Sequence, residues 1–393
     1  MARNAAALTA RTSDAFAVVA PGLEILAERE IGELGIANAL AETGGVSFRA
    51  GEADLARVLI GSRIATRILV RAAQFRAVTF AELERHARSV RWTSWIAPRS
   101  TVRLRVTCKK SRLYHSNAVA QRVADALTAA IPGVRALEGA GTDDDGEGDS
   151  QLIVVRVSEN ICTIRIDAAG DPLYKRGYRQ AVAKAPLRET LAAAMLAGAR
   201  WSGDRALYDP MCGSGTIVIE AALMARRMAP GLHRAFAAER WPGARADVWK
   251  QARETFGAAV LGRAACPLAG SDRDAGAVRA AQENAARAGV ASDVSFSVGS
   301  VSAADPSHAH GLLVTNPPYG TRVGDTRTLR DLYASLGTMA RARCPAWSFA
   351  MLSADRSRGH TLERQIGFDT HEVWRSTNGG IPVRLVSGTV PPR

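Results

Sequence analysis

The sequence predicts an α/β protein made of a basic N-terminal α/β module and a C-terminal, doubly wound parallel sheet. From residue 207 onward, short apolar strands alternate with helices, which is the pattern of a parallel sheet with helices on its faces. Before about residue 170, strands and helices follow a split order that is typical of smaller mixed sheets. Residues 61–135 hold fifteen Lys and Arg residues against three acidic ones, so this stretch carries +12 of the formal net charge of +13.

The length and composition allow two or three domains. The chain has 393 residues, of which 47% are hydrophobic and 23% charged, and such a chain can bury sizeable cores. Positive charge that is concentrated in one module favours a polyanionic partner, and nucleic acid before a membrane surface. No run reaches about 18 apolar residues, so no segment is predicted to span a membrane.

The cysteines and the N-terminal residues indicate the cellular compartment. Cysteines are few, widely separated and never in a C-x-x-C pair, so no metal site is predicted and a reduced, cytoplasmic setting fits. Residues 1–14 are interpreted as a frayed leader, with an organellar presequence as the alternative.

Residues 15–75 predict a small split α/β sheet. A strand at 15–19 precedes a helix at 23–34 with one apolar face. A second strand at 44–48 and a helix at 53–59 follow, and residues 63–72 alternate charged and apolar side chains as a half-buried strand does.

Residues 76–170 predict a second α/β unit. Helices are expected at 80–90 and 116–130, a strand at 101–107, and a hairpin of strands 152–158 and 161–167 around a tight turn. The loop at 139–149, with five acids and four glycines, is expected to be solvated and mobile. The basic patch Lys109, Lys110 and Arg112, next to Tyr114 and His115, is predicted to contact a nucleic-acid backbone, the alternative being a solvated strand end.

The residue pattern changes between residues 171 and 186, and we interpret this segment as a linker. Its basic-aromatic segment predicts phosphate contacts and base stacking, with a solvated linker as the alternative; the candidates are Lys175, Arg176, Tyr178 and Arg179. Pro186 is expected to open an Ala-rich helix to about Ala199, and the second domain is assigned to residues 187–393.

That domain begins with a glycine turn between a strand and a helix, Leu207–Leu223. The turn lacks the lysine of a P-loop, the third glycine of the dinucleotide fingerprint and the central serine of a hydrolase elbow. What remains is Asp209 at the end of the strand, followed by Gly213 and Gly215 and by Thr216 at the helix start. An acid there suits a ligand that carries a cation, and S-adenosylmethionine fits, although Asp209 could simply cap the turn.

A second strand, Leu268–Asp272, also ends on an acid. An acid at this place can accept hydrogen bonds from both hydroxyls of a ribose. Asp272 is therefore predicted to bind the same ligand, and Asp274 to cap the following helix at Gly276. The alternative is that both are helix-start acids.

The segment Gly311–Gly320 predicts a buried strand that ends in a stiff Asn316-Pro317-Pro318-Tyr319 turn. Ligands bind at the carboxyl ends of parallel strands, so the turn is expected to face the cofactor. The Asn316 side-chain oxygen and the Pro317 carbonyl can each accept one hydrogen of an exocyclic base amine and aim its lone pair at a methyl carbon. Tyr319 offers a face on which an extruded base can stack.

These motifs together resemble the THUMP-domain class I RNA methyltransferases, which include bacterial 23S rRNA guanine-N2 methyltransferases and related tRNA enzymes. DPMCGSGT, GSDRD and NPPYG carry the resemblance, together with YKRGYR and the ending STNGGIPVRLV, so it covers nearly the whole chain. It implies a ferredoxin-like unit at 15–75 and a THUMP domain at 76–170 that capture RNA. It also implies a Rossmann-like domain at 187–393 that methylates a guanine amine.

One position departs from the family pattern. Ser300 stands where such families usually place an acid against the adenine amino group, and Asp305 follows further along. Either Ser300 substitutes weakly, Asp305 reaches back, or cofactor affinity is reduced.

The sequence as a whole predicts S-adenosylmethionine-dependent methylation of a guanine N2 amine to N2-methylguanosine, in 23S rRNA. The rival interpretations are the same reaction on tRNA, adenine-N6 methylation, and a non-catalytic RNA-binding assembly factor that keeps the fold.

Overall fold

The computed structural model describes residues 12–137, 150–180, 187–306, 308–319, 326–354 and 362–392. The chain divides into two compact units. The first comprises the chain through Val18, Glu30–Leu173 and His233–Glu254. The second comprises Val19–Arg29, Tyr174–Leu232 and Thr255–Arg393. Residues 19–29 and 233–254 are therefore exchanged between the units, which the sequence did not predict.

The first unit is built on one mixed, eight-stranded sheet with the order β2-β3-β1-β4-β8-β7-β5-β6. Its strands are β1 (Ser13–Val18), β2 (Leu40–Glu42), β3 (Gly45–Ala50), β4 (Arg67–Arg76), β5 (Thr101–Lys109), β6 (Arg135–Leu137), β7 (Gln151–Ser158) and β8 (Ile161–Asp167). Strand β4 pairs with both β1 and β8, so the parts predicted at 15–75 and 76–170 share a single sheet.

Helices α1 (Glu24–Glu33), α2 (Glu52–Gly61), α3 (Phe80–Ser89) and α4 (Ser116–Ala130) lie between these strands in sequence. The alternating patterns predicted the longer strands because every second side chain is buried, as in β7, where Ile153, Val155 and Val157 are buried. The predicted tight turn is confirmed: Glu159 and Asn160 both have positive φ, 51° and 67°, as a two-residue hairpin turn requires.

The second unit contains a seven-stranded sheet with the order β11-β10-β9-β12-β13-β15-β14. Its strands are β9 (Ala206–Asp209), β10 (Leu268–Asp272), β11 (Val294–Val298), β12 (Gly311–Thr315), β13 (Ser348–Ala354), β14 (Thr370–Asn378) and β15 (Ile381–Thr389). The remaining helices are α5 (Glu189–Gly198), α6 (Thr216–Ala225), α7 (Ala246–Ala258), α8 (Ala275–Arg287) and α9 (Thr326–Arg343).

Strands β9 to β13 pair in parallel, and β14 and β15 add an antiparallel hairpin. The strand order reverses at β9, whose neighbours are β10 and β12. In open α/β sheets, ligands bind in the crevice outside the carboxyl ends of the strands at such a switch point. The predicted α/β class and parallel sheet are confirmed, and the three motifs lie at this end of β9, β10 and β12.

Several predictions fall on residues outside the described ranges. These are the first eleven residues of the predicted leader, the whole acidic loop at 139–149, and Pro186. The helix that was expected to open at Pro186 begins at Glu189. Within the described ranges, no helix is long and apolar enough to cross a bilayer, and no cluster of three or more metal-ligand side chains occurs. All five cysteines are free thiols.

Candidate active site

The glycine turn joins β9 to α6, and its two glycines have different surroundings. Gly213 and Gly215 have φ values of 53° and 83°, the left-handed conformation that favours glycine. A Cβ on Gly215 would lie 2.9 Å from Cβ of Ala281 and 3.0 Å from the Phe296 ring, whereas one on Gly213 would meet no atom within 4 Å. Gly215 therefore lets α6 pack closely, and Gly213 faces open space.

Asp209 is buried at the end of β9, with 1% of its surface exposed. Its Oδ1 accepts hydrogen bonds from Thr315 Oγ1 at 2.8 Å and from the Met211 amide at 3.1 Å. The first of these bonds ties the end of β12 to the end of β9. Burial raises the pKa of Asp209 to about 7, against the two hydrogen bonds, which lower it.

Asp272 holds the glycine turn from the neighbouring strand. Its Oδ2 accepts from the Gly213 amide at 2.9 Å and its Oδ1 from the Asp274 amide at 3.0 Å. Asp274 in turn caps α8 by accepting from the Gly276 amide at 2.7 Å, so its predicted role is confirmed. Asp272 is partly exposed, so its carboxylate can also reach a ligand.

A chain of hydrogen bonds from α8 also supports the turn. Asn284 of α8 donates to the Ser214 carbonyl at 3.0 Å, and Arg287 donates to Asn284 Oδ1. The Arg287 Nε also donates to the Tyr178 carbonyl at 2.7 Å. Residues of α8 thus connect the segment before α5 to the backbone of the glycine turn.

The Asn316–Tyr319 turn follows β12 directly. Among the described residues, Asn316 Oδ1 is a buried oxygen that accepts no hydrogen bond. Buried polar atoms are nearly always paired, so an acceptor left open at a strand end suits a ligand donor. Pro317 is buried, and Pro318 and Tyr319 are half-buried.

Asn378 is a site residue that the sequence analysis did not single out. It lies at the end of β14, before a turn in which Gly379 and Gly380 have positive φ. Its Nδ2 donates to the Tyr319 hydroxyl oxygen at 2.7 Å. The Asn-Gly-Gly hairpin was visible in the sequence, but nothing local to it indicated contact with a residue 59 positions away.

Ser300 is exposed just beyond β11, and its hydroxyl lies 3.0 Å from that of Ser302. Asp305 is exposed and accepts from Arg343 at 3.1 Å. The carboxylate that was considered as a substitute is thus already engaged by an arginine.

The predicted RNA-contacting residues separate into two groups. Lys109, Lys110 and Arg112 are exposed, as is Lys175 in the linker segment. The prediction for the other three linker residues needs correction, because their side chains are buried against carboxylates rather than open to RNA; they are Arg176, Tyr178 and Arg179.

The buried carboxylates account for that difference. The Tyr178 hydroxyl donates to Glu220 Oε1 at 3.0 Å, and the Arg176 Nε lies 3.6 Å from the same oxygen. Arg179 pairs with Glu189 at 3.1 Å. Buried carboxylates require such partners, so these residues stabilise α5 and α6.

Comparison with known proteins places this geometry in a family. A family model described as "RMKL-like, methyltransferase domain" matches residues 176–383, and one described as "RlmL ferredoxin-like domain" matches residues 14–69. The chain belongs to the RMKL-like methyltransferase family. The Rossmann-like and ferredoxin-like parts of the fold prediction are thereby confirmed, and S-adenosylmethionine is confirmed as the predicted cofactor.

Individual relatives agree with the family. "Putative RNA methyltransferase slr0064" of Synechocystis is 33% identical over 98% of both chains. "Ribosomal RNA large subunit methyltransferase K/L" of Syntrophotalea carbinolica is 35% identical over 95% of this chain and 53% of its own. The chain thus spans about half the length of the K/L relatives that it matches.

Solved structures of similar proteins cover nearly the whole chain. The crystal structure of SMU.472 complexed with SAH has a TM-score of 0.84 at 26% identity, covering 98% of this chain and 99% of that one. A predicted N6-adenine-specific DNA methylase from Listeria monocytogenes has a TM-score of 0.81 at 28% identity, covering 98% of each chain.

The residues at the switch point fit the cofactor. The space in front of Gly213 is open, Asp209 offers a buried carboxyl for a cation, and Asp272 offers a partly exposed one for hydroxyls. S-adenosylmethionine, when bound, supplies an electrophilic methyl group.

Proposed function

We propose that this methyltransferase modifies the exocyclic N2 amine of a guanine in RNA, and that its substrate is 23S rRNA. The proposal rests on the Oδ1 of Asn316, a buried oxygen that accepts no hydrogen bond from the residues that the structure describes. The next residue in the chain, Pro317, supplies a backbone carbonyl. An exocyclic amine has two hydrogens, and two acceptors on consecutive residues can match it. The names of the relatives, an RNA methyltransferase and a large-subunit rRNA methyltransferase, support RNA as the substrate class.

In this proposal the chain's own residues orient the amine. Asn316 Oδ1 and the Pro317 carbonyl accept its two hydrogens, which turns the nitrogen lone pair toward the methyl group and stabilises the positive charge that develops there. The half-buried ring of Tyr319, held by Asn378, stacks on the extruded base. Asp209, Gly213, Gly215, Thr216 and Asp272 hold the cofactor, while Ser300 contributes weakly at the adenine.

The remaining assignments belong to the same proposal. Residues 15–75 form the ferredoxin-like unit, 76–170 the THUMP domain that binds RNA, 171–186 the linker and 187–393 the catalytic domain. Lys109, Lys110, Arg112 and Lys175 contact the RNA backbone, and the protein works in the cytoplasm.

Nucleoside mass spectrometry on rRNA and tRNA from wild-type and deletion cells tests the proposal. Loss of N2-methylguanosine from the 23S fraction is the expected result. Loss from tRNA alone would move the same chemistry to the other substrate, and loss of N6-methyladenosine would overturn the guanine assignment. Unchanged methylated nucleosides, or full rescue of the deletion by Asn316→Ala, would favour a non-catalytic assembly factor.

A further inference from the structure

The two faces of the eight-stranded sheet differ in chemistry. On β5, Val102 and Leu104 are buried, whereas the alternate residues Arg103 and Arg105 are partly exposed. Successive side chains in a strand point to opposite faces, so each strand presents one apolar and one polar set. The apolar set is covered by helices; His86 of α3, for example, stacks on Phe75 at 4.7 Å between ring centroids.

The register of the strands gathers arginines on the other face. Arg71 of β4 pairs with Arg165 of β8, and Arg165 pairs with Val154 of β7, which in turn pairs with Arg105 of β5. The adjacent row contains Arg156 between Thr107 and Thr163. Neighbouring strands are about 4.8 Å apart, so the four strands present these guanidiniums across about 14 Å.

Acidic side chains are few at the outward positions of these strands that the structure describes. The outward positions of β4, β5, β7 and β8 include one acid, Asp167, which is buried and paired with Arg67. Asp14 of the neighbouring strand β1 pairs with Arg71. We call the following outward cations of the four strands the arginine platform: Arg71, Arg76, Arg103, Arg105, Lys109, Arg156 and Arg165.

The platform cations affect one another. Burial lowers the pKa of the Arg165 guanidinium, and the like charges of Arg156 and Arg71 lower it further, while Glu42 raises it. The Arg165 guanidinium also lies 4.8 Å from the centre of the Phe16 ring, which orients it. Arg71 and Arg165 stand directly opposite each other on paired strands, and like charges in that position repel. A bound polyanion would offset this repulsion.

We propose that the arginine platform is the surface on which the RNA substrate docks, through its phosphates. This rests on the proposed function, in which RNA is the substrate, and it extends the contact surface well beyond Lys109, Lys110 and Arg112. Planar guanidiniums bind phosphate oxygens in bidentate fashion, and a flat array of them suits a nucleic-acid backbone.

The test compares two variants with equal changes in charge. The platform triple is Arg105→Gln/Arg156→Gln/Arg165→Gln. The control triple is Arg85→Gln/Arg88→Gln/Arg91→Gln, three exposed arginines on and just after α3, which covers the opposite face. Binding of a 23S rRNA transcript is measured at salt concentrations from about 50 to about 300 mM. Cofactor binding and thermal unfolding of each variant show whether it is folded.

The platform triple should bind the transcript at least tenfold more weakly than the control triple. A plot of log affinity against log salt concentration should also become less steep for the platform triple. Its slope should decrease in magnitude by about 2–3, because each phosphate contact contributes about 0.9 to that slope. Equal affinities and slopes for the two triples would overturn the proposal. If the platform triple does not fold, the single variant Arg156→Gln, at an exposed position, tests the proposal instead. The slope of its log affinity against log salt concentration should decrease in magnitude by about 1.

The outcomes separate this inference from the proposed function. A wild-type protein that binds the transcript through the platform but transfers no methyl group would refute the proposed function alone. A wild-type protein that methylates RNA while the platform triple binds normally would refute the platform alone.

Discussion

The glycine turn and the Asn316–Tyr319 turn follow neighbouring strands of one sheet, yet they are stabilised differently. In the glycine turn, the carboxylates of Asp209 and Asp272 already accept hydrogen bonds from backbone amides. In the other turn, the buried Oδ1 of Asn316 accepts no hydrogen bond from the part of the chain that the structure describes. Such an atom costs about 1–3 kcal/mol, a cost that a bound amine would remove. The cofactor side is thus preorganised by the protein alone, whereas the substrate side is completed by its ligand.

Asn316→Ala removes the open acceptor and is expected to have the largest effect on activity. We expect kcat to fall by about 10²–10³-fold, the usual effect of losing one group that stabilises developing charge. The Kd for S-adenosylmethionine should stay within about twofold, since the cofactor side does not depend on Asn316. Methyl transfer from a radiolabelled donor and titration calorimetry measure the two quantities.

Asn117→Ala, the same substitution at an exposed position of α4, serves as the control. An Asn316→Ala variant with kcat within tenfold of the wild type would show that the open acceptor is not part of the catalytic machinery.

Alanine substitutions at Gly213 and Gly215 should have different effects on stability and on cofactor binding. Gly215→Ala should lower the free energy of unfolding by about 2–4 kcal/mol, because its Cβ would strike Ala281 and Phe296 and the backbone is left-handed. Gly213→Ala should cost only about 1 kcal/mol of stability but weaken cofactor binding at least tenfold, since its Cβ enters the open space. Urea unfolding and calorimetry distinguish the two. Equal effects on stability would contradict the difference in surroundings.

Cofactor binding should depend on pH because of Asp209. Its pKa is raised to about 7, so it takes up a proton as the pH falls through 7. Binding a cation requires the ionised form, so the cofactor Kd should rise about tenfold per pH unit between pH 7 and 5.5. Asp209→Asn should bind weakly and show no such slope. A flat wild-type profile over this range would exclude a direct charge role for Asp209.

The smallest expected effect concerns Asn378 and Tyr319. One neutral hydrogen bond contributes about 0.5–1.5 kcal/mol, so Asn378→Ala and Tyr319→Phe should each lower kcat by about 2–12-fold with cofactor Kd unchanged. The double variant should lose little more than either single variant, because both remove the same bond. Fully additive losses would show that Asn378 does not act by positioning Tyr319.

Strands and loops were predictable where the signal lies in neighbouring residues. Alternating side chains located β5, and the Glu159–Asn160 turn and the Asp274 cap follow from local conformation. The strand predicted at 63–72 is β4, which begins four residues later and buries its first four residues in succession. The strands β2 and β6 were missed because three residues are too few to show a period.

Partners that are distant in sequence were not predictable. Arg176 and Tyr178 were interpreted as RNA contacts because nothing near them in the sequence indicates Glu220, which lies in the next helix but one. The arginine platform likewise depends on the register between β4 and β8, which the sequence alone does not fix. The ends of β9, β10 and β12, by contrast, were predictable, since parallel strands bring their carboxyl ends to one edge.

Methylation in vitro tests the proposed reaction most directly. The purified protein is incubated with S-adenosylmethionine and an unmethylated 23S rRNA transcript, and the digested product is analysed by nucleoside mass spectrometry. We expect N2-methylguanosine from the wild type and about 10²–10³-fold less of it from Asn316→Ala over the same initial-rate interval. N6-methyladenosine, or equal product from both proteins, would contradict this expectation.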